Sequence, residues 1–328
     1  MGWDLIGGLV ARPTAEQTHS DLEVVDLHTV QATELEELWQ HEVGAWRDRL
    51  LWDISAIAAA FRRTLERGGI AGKVVRIGGR AVGFTYYAVT GQLGVVGGLV
   101  LSPVWGTVAA GEALLRETVD TVRRKGVRRI EAAFVSIDYP WLAPAFERQG
   151  FRTYWREFLR VALHAVPALE PPPAGVQLRP WRETSIAEIA QIMRAAYAGG
   201  IDAQAHQRYR TEHGCRAVLD DILHQGSCGN LVAEASVLAY HRSRGVGFIV
   251  TTEVASGQAH VAQVAVLPTY QRQGIGRSLL TYSMACLVEG RFDTLSLIVY
   301  QANDRALRLY RALGFHTVLA FPVFTWEA

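Results

Sequence analysis

The sequence is short of cysteine, of long apolar runs and of any excess of charge, and each shortage narrows what the chain does. Its three cysteines, Cys215, Cys228 and Cys286, cannot all pair and show no C-x-x-C spacing, so a reducing, cytoplasmic setting is expected rather than a disulfide framework. No apolar stretch approaches the ~20 residues that cross a bilayer; the nearest, Val95 to Leu101, is short and broken by glycine. Residues 1–20 carry Asp4 and lack a basic segment followed by an apolar one, so they read as a loose leader and not as a secretory signal. The 33 Lys and Arg against 32 Asp and Glu leave a formal charge of +1, too even to favour nucleic acid or an anionic membrane as partner. His213, Cys215, His224 and Cys228 gather four possible ligands at no standard zinc spacing, and no metal is expected.

What remains is an ordinary globular chain, 49% hydrophobic and 20% charged, and 328 residues make room for two domains. Pro167, Pro171, Pro172 and Pro173 mark residues 164–175 as a stiff connector. The same order of signals appears on either side of it: a short strand (Val24 to Leu27; Val176 to Arg179), helices, an apolar strand ending in proline, a helix, a strand, and a last helix closing at Gly-Phe. Placing Pro103 on Pro268 puts Gly111 on Gly276 and Leu114-Leu115 on Leu279-Leu280, the pattern of a duplicated unit. In the second copy Ser185 and Glu188 have capping-box spacing, Ile186, Ile189 and Met193 recur on one helical face, and Ala306, Leu309, Tyr310 and Leu313 do so on another.

The most informative segment is the apolar strand Val261 to Pro268 followed by Thr269-Tyr-Gln-Arg-Gln-Gly-Ile-Gly-Arg-Ser-Leu-Leu280. Glycines at 274 and 276 clear side chains from the start of a helix, so backbone N–H groups and the helix dipole can face an anion, with Arg272 and Arg277 beside them. A Walker loop would need a lysine where Arg277 stands and an earlier first glycine. A dinucleotide fingerprint would need a third glycine at the position of Leu279.

The surviving pattern, Gln271-x-x-Gly274-x-Gly276 after a strand, resembles the pyrophosphate motif of the GCN5-related N-acetyltransferase (GNAT) family. Asn303 and Leu309-Tyr310-x-x-x-Gly314-Phe315 resemble that family's second block. The resemblance implies an α/β fold of two tandem GNAT-like domains, each a mixed, mostly antiparallel sheet flanked by helices. The bounds are a degenerate copy over 21–163, the linker 164–175 and an acyl-CoA-binding domain over 176–328.

It also implies acetyl-CoA, or another acyl-CoA, as co-substrate. Gln271, Arg272, Gln273, Gly274, Ile275, Gly276, Arg277 and Ser278 would hold the pyrophosphate, and the strand edge at Val264 and Val266 would pair with pantetheine. The thioester would lie where this strand splays from Leu295 to Tyr300, with Asn303 on the pantetheine arm or serving as a plain helix cap. Tyr310 would protonate the leaving thiolate, a phenol of pKa ~10 keeping its proton at neutral pH. The acceptor would be an amine on a small molecule or peptide.

The base is less defined. Gln263 stands where many family members carry a carboxylate, which leaves Glu253, with Glu234 and His260 behind it, as the nearest titratable groups in sequence. In the first copy Gly106, Ala109 and Glu112 occupy the places of Gln271, Gly274 and Arg277, while Tyr139 and Phe146 replace Asn303 and Tyr310. That copy is expected to bind no acyl-CoA. Trp39, Trp46, Trp52, Trp141 and Trp155 read mostly as core, with an aromatic pocket between the domains as the alternative. A non-catalytic acyl-CoA sensor or scaffold is the rival to an enzyme.

Overall fold

The computed structural model describes residues 21–137, 139–165, 169–181 and 186–328. The expected leader, Pro167 of the connector and the cap at Ser185 lie outside them. The first half runs β1 (Leu22–Asp26), α1 (Glu36–Leu50), α2 (Ser55–Glu66), an antiparallel run β2 (Ala71–Ile77), β3 (Arg80–Thr90) and β4 (Leu93–Leu101), then α3 (Val108–Arg124), β5 (Arg129–Ala133), α4 (Leu142–Glu147) and β6 (Arg152–Ala162). The second half begins with β7 (Val176–Pro180), α5 (Ile186–Tyr197), α6 (Ile201–Ala205) and α7 (Glu212–His224). It continues through β8 (Asn230–Leu231), β9 (Val237–His241), β10 (Arg244–Ala255), β11 (Gln258–Val266), α8 (Ile275–Glu289), β12 (Thr294–Tyr300), α9 (Asp304–Ala312) and β13 (His316–Glu327).

Local physics places the elements of the second half. Ile189 and Met193 of α5 are fully buried, as their spacing predicts. Ile275, Leu279, Leu280, Met284 and Leu287 form the buried stripe of α8, each such side chain contributing roughly 1.5–3 kcal/mol by leaving water. Gly314 stops α9 with φ of 91°, a left-handed conformation that suits glycine.

The strands of the described residues join one sheet, in the order β1-β2-β3-β4-β5-β13-β6-β12-β11-β10-β9-β7, with β8 beside β10. The two halves therefore exchange their last strands. β13 of the second half lies between β5 and β6 of the first, and β6 lies between β13 and β12. Leu159 and Val161 of β6 enter the core of the second half, while Phe324 of β13 enters that of the first and stacks on Phe146 at 3.9 Å. A further cluster of Leu50, Trp52, Phe158, Tyr300, Phe321 and Val323 fills the seam.

Candidate active site

The turn between β11 and α8 has the backbone its glycines require. Gly274 caps α8 at φ 87° and Arg272 lies at φ 65°, strained for a side-chain-bearing residue. No side chain caps α8. Among the described residues, the N–H groups of residues 272–277 find no acceptor within the protein, so the positive end of the helix is presented bare. A Cβ added at Gly276 would meet only Leu309 Cδ2 at 3.7 Å and Val266 Cγ2 at 3.9 Å, which leaves open space in front of it.

The side chains of the turn behave differently from expectation. Arg277 pairs with Glu170 of the connector at 2.7 Å, and the Ser278 hydroxyl, 3% exposed, donates to the carbonyls of Pro171 and Gly274. Both are engaged by neighbouring protein groups instead of projecting into the open cradle, because the proline-rich connector packs along the first turns of α8. Gln271 Nε2 donates to the Val266 carbonyl at 2.9 Å and its Oε1 accepts from Arg305 at 2.6 Å, so it ties β11 to α9. Gln273 closes on the Thr269 carbonyl. Asn303 accepts from the N–H of Ala306 as the cap of α9, the plainer of its two expected roles.

β11 and β12 pair in parallel only from Gln258–Thr294 to Val261–Leu297. Beyond that, a bulge that leaves Ala262 without a partner across β10 bends β11 away, and a notch opens between the strands. The Val264 carbonyl accepts from the Tyr197 hydroxyl at 3.3 Å and that of Val266 from Gln271, so both residues turn their edge away from β10. Tyr310, 7% exposed, lies on the inner side of α9 against Phe315. Burial pushes its phenol well above the usual range, which keeps the proton in place at neutral pH.

Residues 191–315, which hold the second part of α5, the notch, the turn and α9, match the model of the acetyltransferase (GNAT) family. This segment is a GNAT domain. The ribosomal protein bS18-alanine N-acetyltransferase of Escherichia coli K12 is 42% identical over 65 residues, 20% of this chain and 44% of that protein. The peptidyl-lysine N-acetyltransferase YiaC of the same strain is 41% identical over 58 residues, 18% of this chain and 36% of its own. The chain thus spans less than half the length of these curated relatives. A GCN5-related N-acetyltransferase from Sphaerobacter thermophilus superimposes with a TM-score of 0.64 at 16% identity, covering 93% of this chain and 95% of the other. A tandem GNAT protein from the clavulanic acid biosynthesis pathway does so with 0.56 at 18%, covering 94% and 98%. At such identities the likeness is one of fold, and it extends over both halves: a tandem GNAT architecture, mixed and mostly antiparallel.

The strand register sets the expected base apart from the notch. Glu253 lies opposite Ala259, five residues before Val264 and so about 17 Å along the strand at ~3.4 Å per residue. Its carboxylate accepts instead from the N–H of Gly257 in the hairpin turn. His260 is 4% exposed, packs edge-on to Trp52 at 4.8 Å and bonds the Ser296 hydroxyl. Burial drives its pKa down to about 3, so it is a neutral core histidine.

The notch instead gathers residues to which no motif pointed. Gln263 accepts from Tyr197 and donates to Tyr209, both at 2.9 Å. The rings continue through Tyr209–His206 at 5.9 Å and His206–Tyr300 at 6.4 Å. Asp202 of α6 stands among them, its carboxyl pushed up by burial while Arg156 and His206 draw it back. The segment that follows α6 is moored on the first half: Glu131 accepts from the N–H of Gln207 at 2.7 Å, lies 3.3 Å from His206 and is paired with Arg129.

The corresponding place in the first half is filled. Thr107 caps α3 by accepting from Ala110, and a Cβ on Gly111 would strike the Trp141 ring at 2.5 Å where Gly276 faces open space. Glu112 is held by Arg148, and Phe146 is fully buried. A notch survives there as a cavity of about 260 Å³ walled by Trp39, Trp46, Trp52, Phe61 and Tyr86.

Proposed function

We propose that the chain is an N-acyltransferase with one working site, in its C-terminal half, passing an acetyl group from acetyl-CoA to an amine on a small molecule or peptide. The observation that carries this is the uncapped, side-chain-free start of α8, opening beside Val266 and Leu309 where β11 parts from β12. The backbone N–H groups of residues 272–277 suit a pyrophosphate, and the notch edge suits the pantetheine amides. The N-terminal copy serves as scaffold, its cradle occupied by Trp141 and its helix already capped.

In this reading Asp202 replaces Glu253 as the base. The neutral amine attacks the thioester carbon, and an N–H on the β11 edge near Val266 takes the developing oxyanion charge. Asp202 receives the proton that the nitrogen loses, the carbon–sulfur bond breaks, and Tyr310 gives its proton to the departing thiolate. The assay is release of free coenzyme A thiol from acetyl-CoA with a panel of primary amines and short peptides. Acceptor-dependent release is expected; binding of acetyl-CoA with no release to any acceptor would make the chain a non-catalytic binder.

A further inference from the structure

Arg156 belongs to β6, the last strand of the first half, and reaches the site of the second half only through the strand exchange. It lies opposite Tyr300 in register, with its guanidinium 4.7 Å from the centre of the Tyr300 ring. Its Nε is buried with no hydrogen-bond partner, and so is the hydroxyl of Tyr300. Around the same seam Arg129, Arg210 and Arg311 are each held by a carboxylate. Among the described residues neither Arg156 nor Asp202 forms an ion pair within 4 Å, and the two act on each other only across a longer gap.

Two charges of opposite sign beside one aromatic-walled notch, both half-buried and coupled only at a distance, leave room for a ligand that bridges them. A bare alkylamine would satisfy Asp202 alone and leave the guanidinium unmet. An amine that also carries an anion would satisfy both, since the planar fork of arginine matches carboxylate and phosphate oxygens.

We propose that Arg156 is an acceptor-anchoring residue, and that the amine acetylated at this site bears a carboxylate or phosphate a few bonds from its nitrogen. This rests on the acyl-transfer reading above. It makes the N-terminal half part of the acceptor site, although that half binds no acyl-CoA.

The test follows thiol release at saturating acetyl-CoA with L-α-amino acids against their α-amides, and 2-aminoethyl phosphate against 2-aminoethanol, in the wild type, Arg156→Gln and Arg156→Lys. At least one anionic acceptor should exceed its uncharged counterpart about tenfold or more in kcat/KM, and which pair discriminates tells carboxylate from phosphate. Arg156→Gln should erase that preference chiefly through KM while acetyl-CoA affinity stays in place, and Arg156→Lys should recover part of it. Equal use of acids and amides, exclusive use of uncharged amines, or an unchanged preference in Arg156→Gln overturns the assignment. Acetyl-CoA binding, titrated by calorimetry alongside, separates the two levels. If acetyl-CoA binds but no anionic amine is preferred, only the role of Arg156 falls. If acetyl-CoA does not bind, the acyl-transfer reading falls with it.

Discussion

Gly276→Glu separates the proposed cofactor site from the stability of the fold. The added Cβ would make only ordinary contacts, 3.7 Å to Leu309 and 3.9 Å to Val266, and Gly276 has no positive φ to forbid a side chain. A carboxylate in the first turn of α8 interacts favourably with the helix dipole, by roughly 0.3–1 kcal/mol, so the unliganded protein should melt at the same temperature or slightly higher. The same carboxylate would stand about 4 Å from a pyrophosphate charge, where unit charges repel by about 4 kcal/mol at an effective dielectric constant near 20. That is roughly a thousandfold in Kd. Calorimetric titration with acetyl-CoA and a thermal melt read the two effects separately. Binding as tight as wild type would refute the placement of the pyrophosphate; a clearly lower melting temperature would refute the packing argument.

Tyr310→Phe should leave acetyl-CoA affinity intact and lower kcat by about 10²; an unchanged kcat removes the phenol from the mechanism. Asp202→Asn should lower kcat by roughly 10²–10³ with binding retained. Burial raises the Asp202 carboxyl, so the ionised base is lost as pH falls through a pKa above the ordinary ~3.9. Wild-type kcat/KM should therefore show an acid limb, absent in the Asn variant, and an identical pH profile in both would place the base elsewhere. Glu170→Gln releases Arg277 from a half-exposed ion pair and should tighten acetyl-CoA binding by up to about fivefold, in keeping with the ~1 kcal/mol ceiling of such pairs; weaker binding would mean that the connector helps to form the cradle.

The parts of the site legible in sequence are those built by local backbone. Gly274 and Gly276 announce a turn and a bare helix start at fixed spacing, and Tyr310 and Gly314 place the inner face and the end of α9. Side-chain roles were less legible where a distant segment competes for the group. Arg277 and Ser278 read as phosphate contacts until the connector, more than a hundred residues earlier, is packed against them. Glu253 is near in sequence but not along the sheet, because sequence distance ignores the register of the β10–β11 hairpin.

Asp202 lies in a short helix that carries no motif, and Arg156 reaches the notch from the other half. Strand periodicity reports which residues are buried but not which strand lies alongside, so the exchange of β6 and β13 could not be read from the pattern. The repeated order of elements was visible because hydrophobic pattern and turn residues survive divergence, whereas the closing of the first cradle depends on one tryptophan, Trp141, lodged against Gly111.

The central claim is a single acyl-CoA site per chain, at the start of α8, and the most direct measurement is the stoichiometry of acetyl-CoA bound to the wild-type protein at saturation. One molecule per chain is the expected result. Two equivalent molecules would show that the first cradle is open to coenzyme A after all, and none would contradict the assignment of the bare helix start as a pyrophosphate site.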